Sequence, residues 1–314
     1  MDPFTLKLAS AYLLDLAVGD PRWLPHPVRG LGWAISRGER TARAWVKNEV
    51  IAGGLLVLAI VAGTWLLVHG VLWAAGRLSP WLAGVAEIVL IYSCLSTKDL
   101  AVESWPVYRA LKRGDLPEAR AKVAMIVGRD PANLDEPEVV RAAVETIGES
   151  VMDGIIAPLF YVVLGGAPLA CLYKAVNTLD SMIGYRSARY IRFGRIAAWT
   201  DRAMNWIPAW LTTLFLAWAG QLLWGSGRRS LQAARRDGAP TRENSFIAES
   251  AIAGAIGARL GGVNVYQGKE VPTPWMGEAL KPLDPERIAD AIRVMYLASV
   301  LAAAVAVAIR WMVG

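Results

Sequence analysis

The run Val50–Gly76, VIAGGLLVLAIVAGTWLLVHGVLWAAG, decides the class of this protein: 27 consecutive residues with His69 as the only titratable side chain. About 20 apolar residues cross a hydrocarbon core as a helix, so this run predicts a transmembrane span. The whole chain agrees. Of its 314 residues 55% are hydrophobic and only 19% are charged, and the mean hydropathy is +0.36. Soluble domains sit at roughly 45–50% apolar and roughly 25% charged. That difference excludes an ordinary soluble enzyme and a disordered chain. The net charge of +6 could suit nucleic acid, but beside apolar runs a Lys/Arg excess marks cytoplasmic loops, and no nucleic-acid partner is expected.

Working outward, Leu78–Thr97 carries one charge, Glu87, and follows a turn at Arg77-Leu78-Ser79-Pro80, so it reads as the second half of a helical hairpin. Gly154–Tyr173 is uncharged but interrupted by Pro158, Gly165-Gly166 and Pro168, which suits a kinked or re-entrant segment. Ala203–Gly227 is uncharged, with Trp206, Trp210, Trp218 and Trp224 placed as an interfacial belt. Val294–Ile309 is shorter and is flanked by Arg293 and Arg310, which can snorkel. Phe4–Val18 is short and contains Lys7 and Asp15. The expected fold is therefore an all-α, polytopic integral membrane protein with four to six transmembrane or re-entrant helices. A single membrane-embedded domain is expected over 1–314.

Loop charges test the topology. Basic and acidic residues number six and three in 19–50, eight and eleven in 96–153, six and two in 174–205, and nine and seven in 226–289. Counting Lys and Arg alone puts all four regions on the cytoplasmic side. Simple alternation cannot deliver that. The conflict disappears if 154–173 and 203–227 both dip into the membrane and return. The polar regions themselves read as helices over 97–113, 117–127 and a third ending near Ser150. Asn133 or Asp135 can cap that third helix, with Pro137 in its first turn. No internal repeat is visible, which weighs against a secondary transporter. Cys94 and Cys171 lie far apart in separate apolar stretches and are expected as buried free thiols. The N-terminus has no basic stretch or small-residue cleavage site, so no cleaved signal peptide is expected.

Four polar constellations stand out against this background. Arg141, Glu145, Glu149 and Asp153 recur at spacings of four, which places them on one helix face leading into the broken apolar segment. They are either a water-facing Arg–Glu stripe or a carboxylate set that holds Mg²⁺ with phosphate oxygens. Asp153 abuts twenty apolar residues, and an ionisable group at membrane depth points to function. In YKAVNTLDSMIGYR, 173–186, Lys174, Asn177 and Ser181 share a helix face beside Asp180 and Gly184. Lys174 suits a phosphate, and Asn177 with Asp180 suits an amine or a metal shell. Arg186, Arg189, Arg192 and Arg195 follow at spacings of three, as a helical stripe for phosphate or lipid headgroups. In RLGGVNVYQGK, 259–269, the glycines make either a plain turn or an anion-binding backbone nest. In GDPRWLPHPVRG, 19–30, prolines stiffen a loop in which His26 is either structural or a proton carrier.

These segments also carry a resemblance. GDPRWLPHPVRGLG (19–32), VGRDPANLDEPEVVRAAVETIGESVMDGIIAPLFY (127–161), YKAVNTLDSMIGYR and RLGGVNVYQGK resemble, in order, the signature segments of the CobD/CbiB family of adenosylcobinamide-phosphate synthases. The resemblance runs from about residue 10 to 280. It implies ATP-dependent amide ligation of adenosylcobyric acid with (R)-1-amino-2-propanol or its O-phosphate, with Mg²⁺ and ATP, on the cytoplasmic face of a bacterial inner membrane. It also allows other membrane enzymes of late cobalamin assembly as partners, alongside the lipid bilayer. With the residue reading it suggests Asp153, Asp180 and Asn177 as catalytic, and Glu149 with Asp153 as metal ligands. Lys174, Arg186, Glu149 and Glu145 would bind the nucleotide, and His26, Asn264, Lys269 and Asn244 the substrates.

The chain departs from the family's pattern in two places. Gly148-Glu149-Ser150 and Val151-Met152 replace the family's Ala-Glu-Asn step before Asp-Gly, and 242–249 keeps only Asn244 and Glu249 of its usual motif. The competing class is a non-catalytic membrane protein, such as an AmpE-type signalling modulator, or a corrinoid or small-solute transporter.

Overall fold

A computed structural model describes residues 3–21, 27–266 and 268–313. Its helices are α1 (Pro3–Val18), α2 (Pro27–Trp45), α3 (Glu49–Leu78), α4 (Pro80–Tyr92), α5 (Thr97–Lys112) and α6 (Leu116–Val123). They continue as α7 (Glu136–Val151), α8 (Ala157–Ile183), α9 (Arg195–Trp224), α10 (Gly227–Ala233), α11 (Asn244–Ile256) and α12 (Glu286–Val313). The fold is all-helical as expected, apart from one antiparallel hairpin, β1 (Arg259–Tyr266) and β2 (Lys269–Gly277). Among the described residues five segments are long and apolar enough to cross a membrane: Glu49–Leu78, Pro80–Lys112, Glu136–Ile183, Arg195–Trp224 and Glu286–Val313. That number lies within the four to six expected, and the protein is a multi-pass membrane protein.

Local chemistry sets the helix ends. The Asn48 side chain accepts the N–H groups of Val50 and Ile51 at 3.0 and 3.3 Å and opens α3. Ser79 closes α3 by donating its N–H to the Ala75 carbonyl at 2.9 Å, and opens α4 by accepting the Trp81 N–H at 3.2 Å. Pro80 follows at a position where a missing N–H costs nothing. This single residue makes the expected hairpin turn. Of the two candidate caps for α7, the structure uses Asp135, in a capping box with Glu138 whose two hydrogen bonds are both 2.9 Å.

The expected break in 154–173 falls at Gly165-Gly166, where φ/ψ are −151°/24° and 65°/−160° and α8 divides into two helical pieces. Only glycine adopts the second of these pairs without strain. The alternative left open for 203–227 finds no such break: that segment belongs to α9, a continuous helix of 30 residues and therefore about 45 Å long, enough to cross a membrane. It contains Pro208 but no glycine pair to free the backbone. The arginine stripe is corrected. Helix α8 ends at Ile183, residues 184–194 are irregular, and α9 begins at Arg195, so the four arginines do not share a helix.

The chain gathers into two compact units, one of residues 1–96, 157–206 and 303–314, the other of 97–156 and 207–302. In the first unit Phe193 is fully buried among Ile35, Ala52, Leu56, Leu179 and Ile183. The Arg43 guanidinium lies 4.0 Å from the centre of its ring. Glu39 accepts from Arg43 and Arg189, each at 3.0 Å, and pins the irregular stretch to α2. Glycine makes this packing possible, since a Cβ at Gly53 would lie 1.8 Å from the Phe193 carbonyl oxygen.

A Gly53→Ala variant is therefore expected to lose about 1–3 kcal/mol to overpacking, read as a lower Tm in detergent. Gly63→Ala, in the same helix but with nothing within 4 Å, is expected to hold or raise Tm. Equal behaviour of the two would contradict this packing.

Candidate functional site

In the second unit, three segments far apart in sequence meet at one buried charge. Glu145 on α7 accepts from Arg129 through one carboxylate oxygen. Its other oxygen accepts the Gly261 N–H at 2.8 Å and Arg141 at 3.5 Å. Arg141 also donates to the Gly261 and Val263 carbonyls at 2.7 and 3.1 Å. The Asn264 side-chain oxygen receives Arg129 at 2.7 Å and Arg141 at 2.9 Å, which fills both of its lone pairs. All three charged side chains are only 5–7% exposed. The water-facing stripe is thus excluded for Arg141 and Glu145. Removing either charge would strand its partners in a low dielectric.

Sequence explains how the hairpin reaches this cluster. A register shift between Leu260 and Gly262 makes a bulge, with φ of 85° at Gly261 and 103° at Gly262. A Cβ at Gly261 would lie 1.9 Å from the Pro274 oxygen, so only glycine fits. The bulge turns the Gly261 N–H and C=O onto Glu145 and Arg141. At the hairpin's tip, Asp130 accepts the Gly268 N–H at 2.8 Å and donates its own N–H to Val265 at 2.8 Å. The glycine amides considered for an anion nest do meet anions, but these are the chain's own carboxylates.

Glu249 on α11 completes this region. Helix α11 approaches α7 at Gly148, where a Cβ would lie 3.2 Å from the Glu249 Cα. Glu249 is 7% exposed. Burial, reinforced by the charges of Glu145 and Glu149, pushes its carboxyl well above the usual 4.5, with Arg129 and Arg141 opposing only in part. Glu149 is exposed near the end of α7, while Asp153 is half-buried in a π-helical turn, Met152–Ile156. Arg141 and Glu145 are buried in the arginine cluster, whereas Asp153 stands at the start of this π-helical turn. Among the described residues no three His, Cys, Asp or Glu side chains are grouped to hold a metal ion.

The first unit holds the second constellation. On α8, Asn177 donates to Asp201 at 3.5 Å, and Asn205 donates to the other oxygen of Asp201 at 3.0 Å. The Tyr173 hydroxyl donates to Asn205 at 2.9 Å, and its ring stacks on Tyr161 with centroids 5.0 Å apart. Asp201 and Asn205 escape the sequence reading. Their signal is an i, i+4 polar pair at the mouth of an apolar run. Lys174 lines an apolar cavity of about 700 Å³ and makes no ion pair among the described residues. Arg186 is exposed and lines a different cleft, of about 530 Å³, with Arg195, Arg202, Tyr185, Tyr190 and Trp199. Lys174 and Arg186 therefore open on separate cavities. Asp180 is half-buried, and its carboxylate lies over Gly184, where a Cβ would come within 1.9 Å of it.

The other site candidates are spread out. Asn244 is buried at the start of α11, Asn264 is held in the arginine cluster, and Lys269 is exposed at the start of β2. His26 lies outside the described residues.

A family model described as CobD/Cbib protein matches residues 8–295. The chain belongs to the CobD/CbiB family. Among its CobD/CbiB relatives, the "Cobalamin biosynthesis protein CobD" of Geobacter metallireducens is 48% identical over 93% of this chain and 92% of the relative. The protein of the same name from Klebsiella pneumoniae is 42% identical over 97% of each chain. The "Cobalamin biosynthesis protein CbiB" of Salmonella typhimurium is 41% identical over 96% of this chain and 95% of the relative. No solved structure matches the chain. All residues of the Arg129–Arg141–Glu145–Asn264 cluster and both units' polar constellations fall inside the CobD/CbiB match.

Two outcomes follow for this CobD/CbiB chain. Glu145→Ala is expected to cost about 3–5 kcal/mol, because it strands two buried guanidiniums, read as a fall in Tm in detergent. For Glu249, the unfolded chain releases its proton near 4.5 while the folded chain holds it to higher pH. Across that window the unfolded state binds fewer protons, so stability falls as pH rises. Glu249→Gln is expected to flatten that part of the Tm–pH curve, and an unchanged slope would contradict the assignment.

Proposed function

We propose that this protein acts in cobalamin biosynthesis as an ATP-dependent ligase, joining adenosylcobyric acid to (R)-1-amino-2-propanol or its O-phosphate. The observation that carries the reading is nearly full-length similarity to relatives whose names place them in cobalamin biosynthesis. Asp153, Lys174, Asn177 and Asp180, which stand in the segments that resemble the family, support it, since a signalling relative has no need to keep them.

A carboxylate and an ammonium do not condense in water. Phosphoryl transfer from ATP to the carboxylate makes an acyl phosphate, and the neutral amine then displaces phosphate to leave the amide. That chemistry needs cations for phosphate oxygens and a group to take the amine's proton. Lys174 supplies a cation in an otherwise apolar cavity, and Arg186, Arg195 and Arg202 supply three around a cleft rich in aromatic rings. Asp180 is the proposed proton acceptor for the amine, with Asn177 orienting it. Glu145 is braced by Arg129 and Arg141, so it would act by positioning α7 rather than by touching nucleotide.

Mg²⁺ usually takes one or two carboxylates and completes its shell with water and phosphate. Glu149 and Asp153, one exposed and one half-buried, fit that donor set without a third protein carboxylate. They would hold the ion, which supplies charge neutralisation to the phosphates when bound. The cytoplasmic face of a bacterial inner membrane is the proposed location, because 19–50 and 96–153, which flank the α3–α4 hairpin, hold six and eight basic residues. Other membrane enzymes of late cobalamin assembly are the proposed partners.

Purified protein with adenosylcobyric acid, aminopropanol phosphate and Mg–ATP is expected to release ADP and amidated corrinoid in equal amounts. Neither product appearing would overturn the ligase reading. Asp153→Ala and Asp180→Ala are each expected to slow ligation by about 10²-fold or more. Full rates in both would remove those residues from the mechanism.

A further inference from the structure

The chain has two cysteines, Cys94 and Cys171, separated by 77 positions in sequence and held on different helical segments. Folding brings their sulfurs to 3.7 Å. Both are buried free thiols, as expected, although far apart in sequence. Cys94 follows the end of α4 and donates its S–H to the Leu90 carbonyl at 3.3 Å, and the Cys171 sulfur lies 3.9 Å from the same oxygen. Neither side chain faces bulk solvent, at 2% and 8% exposure. Both nevertheless line the cavity of about 700 Å³ that contains Lys174, beside Ser93 and Gly63. A small neutral oxidant has a route to them through that cavity. Lys174, three residues beyond Cys171, sets a cation in the same wall.

We infer that Cys94 and Cys171 form a reversible disulfide site that ties the end of α4 to α8 at the wall of the Lys174 cavity, with peroxide as the class of oxidant. The sulfurs would close by about 1.6 Å to reach bonding distance, a displacement within the reach of side-chain rotation. The first thiolate attacks the O–O bond of hydrogen peroxide, giving a sulfenic acid and, with one proton, water. The second thiolate attacks that sulfur, the S–O bond breaks, and a second water leaves. The two thiols have lost two electrons and two protons, and the peroxide has taken them. A dithiol reductant reverses the step by exchange. The tie would add a covalent link between two elements that now meet through packing and weak sulfur contacts. Lys174 sits on the joined segment, so oxidation would act on that cavity. The site is independent of the ligase reading, because it rests on the thiols alone.

The test uses the wild-type chain in membrane vesicles. Vesicles are treated with hydrogen peroxide and quenched; the protein is then denatured with excess N-ethylmaleimide and weighed intact. The reduced protein is expected to carry two maleimide adducts, one for each cysteine. The oxidised protein is expected to carry none and to weigh two hydrogens less, with both adducts restored by dithiothreitol before labelling. Cys94→Ser and Cys171→Ser are each expected to keep one reactive thiol after the same reducing treatment. They should yield no two-hydrogen loss. Persistence of two adducts in the wild type, under peroxide that oxidises an exposed-thiol control, would overturn the inference. A gain of oxygen mass without loss of hydrogens would overturn it equally.

Discussion

The buried contact of Glu145 with Arg129 and Arg141 is the interaction on which the second unit depends. A carboxylate at 5% exposure is tolerable only when its charge is matched and its lone pairs are filled. Here two guanidiniums and one backbone N–H do this, and the same guanidiniums satisfy the hairpin's carbonyls and the Asn264 oxygen. The local double glycine and the distant acidic helix are therefore one device. Without the bulge, the Gly261 N–H would not face α7. Without Glu145, the bulge's Gly261 N–H would lose the anion it faces. Glu249 fits the same electrostatics. Burial, with the charges of Glu145 and Glu149 nearby, holds the Glu249 carboxyl protonated to higher pH than a free one.

Much of this was readable from the residues. The spans follow from length and apolarity, and the α3–α4 hairpin from Ser79-Pro80. The α8 break follows from Gly165-Gly166, whose backbone angles no other residue accepts readily. The hairpin was not readable, because RLGGVNVYQGK reads as turn chemistry until a partner strand and an acidic helix are placed against it. Arg129 was hidden for a related reason. A buried arginine and a surface arginine look alike in sequence, and only the carboxylate it meets tells them apart. The arginines of 186–195 mislead in the opposite sense. Their three-residue spacing imitates a helix, whereas Gly184 and Gly194 allow close backbone approaches that fold the stretch irregularly. The π-helical turn at Met152–Ile156 is likewise invisible to periodicity, which assumes one residue count per turn.

The candidate site itself was partly legible. The residue types were apparent at 141–153 and 173–186, yet their surroundings divide them by role. Arg141, Glu145 and Asn264 brace one another, whereas Glu149, Asp153, Lys174 and Arg186 keep greater access to solvent or to cavities. Asp201 and Asn205 add a polar row that no motif announced. The apolar majority of the chain thus sets the membrane frame, and a small set of buried polar contacts positions the groups available for chemistry.

The most direct measurement of the central claim is hydrogen exchange on the hairpin peptide 259–266 in wild type and in Glu145→Gln. The account predicts slow exchange in the wild type and markedly faster exchange in the variant, because an amide cannot hold two guanidiniums and accept the Gly261 N–H as a carboxylate does. The segment 286–302 of α12, which makes none of these contacts, should exchange alike in both. Equal protection of the hairpin in the two proteins would contradict the claim that one buried charge holds this part of the fold together.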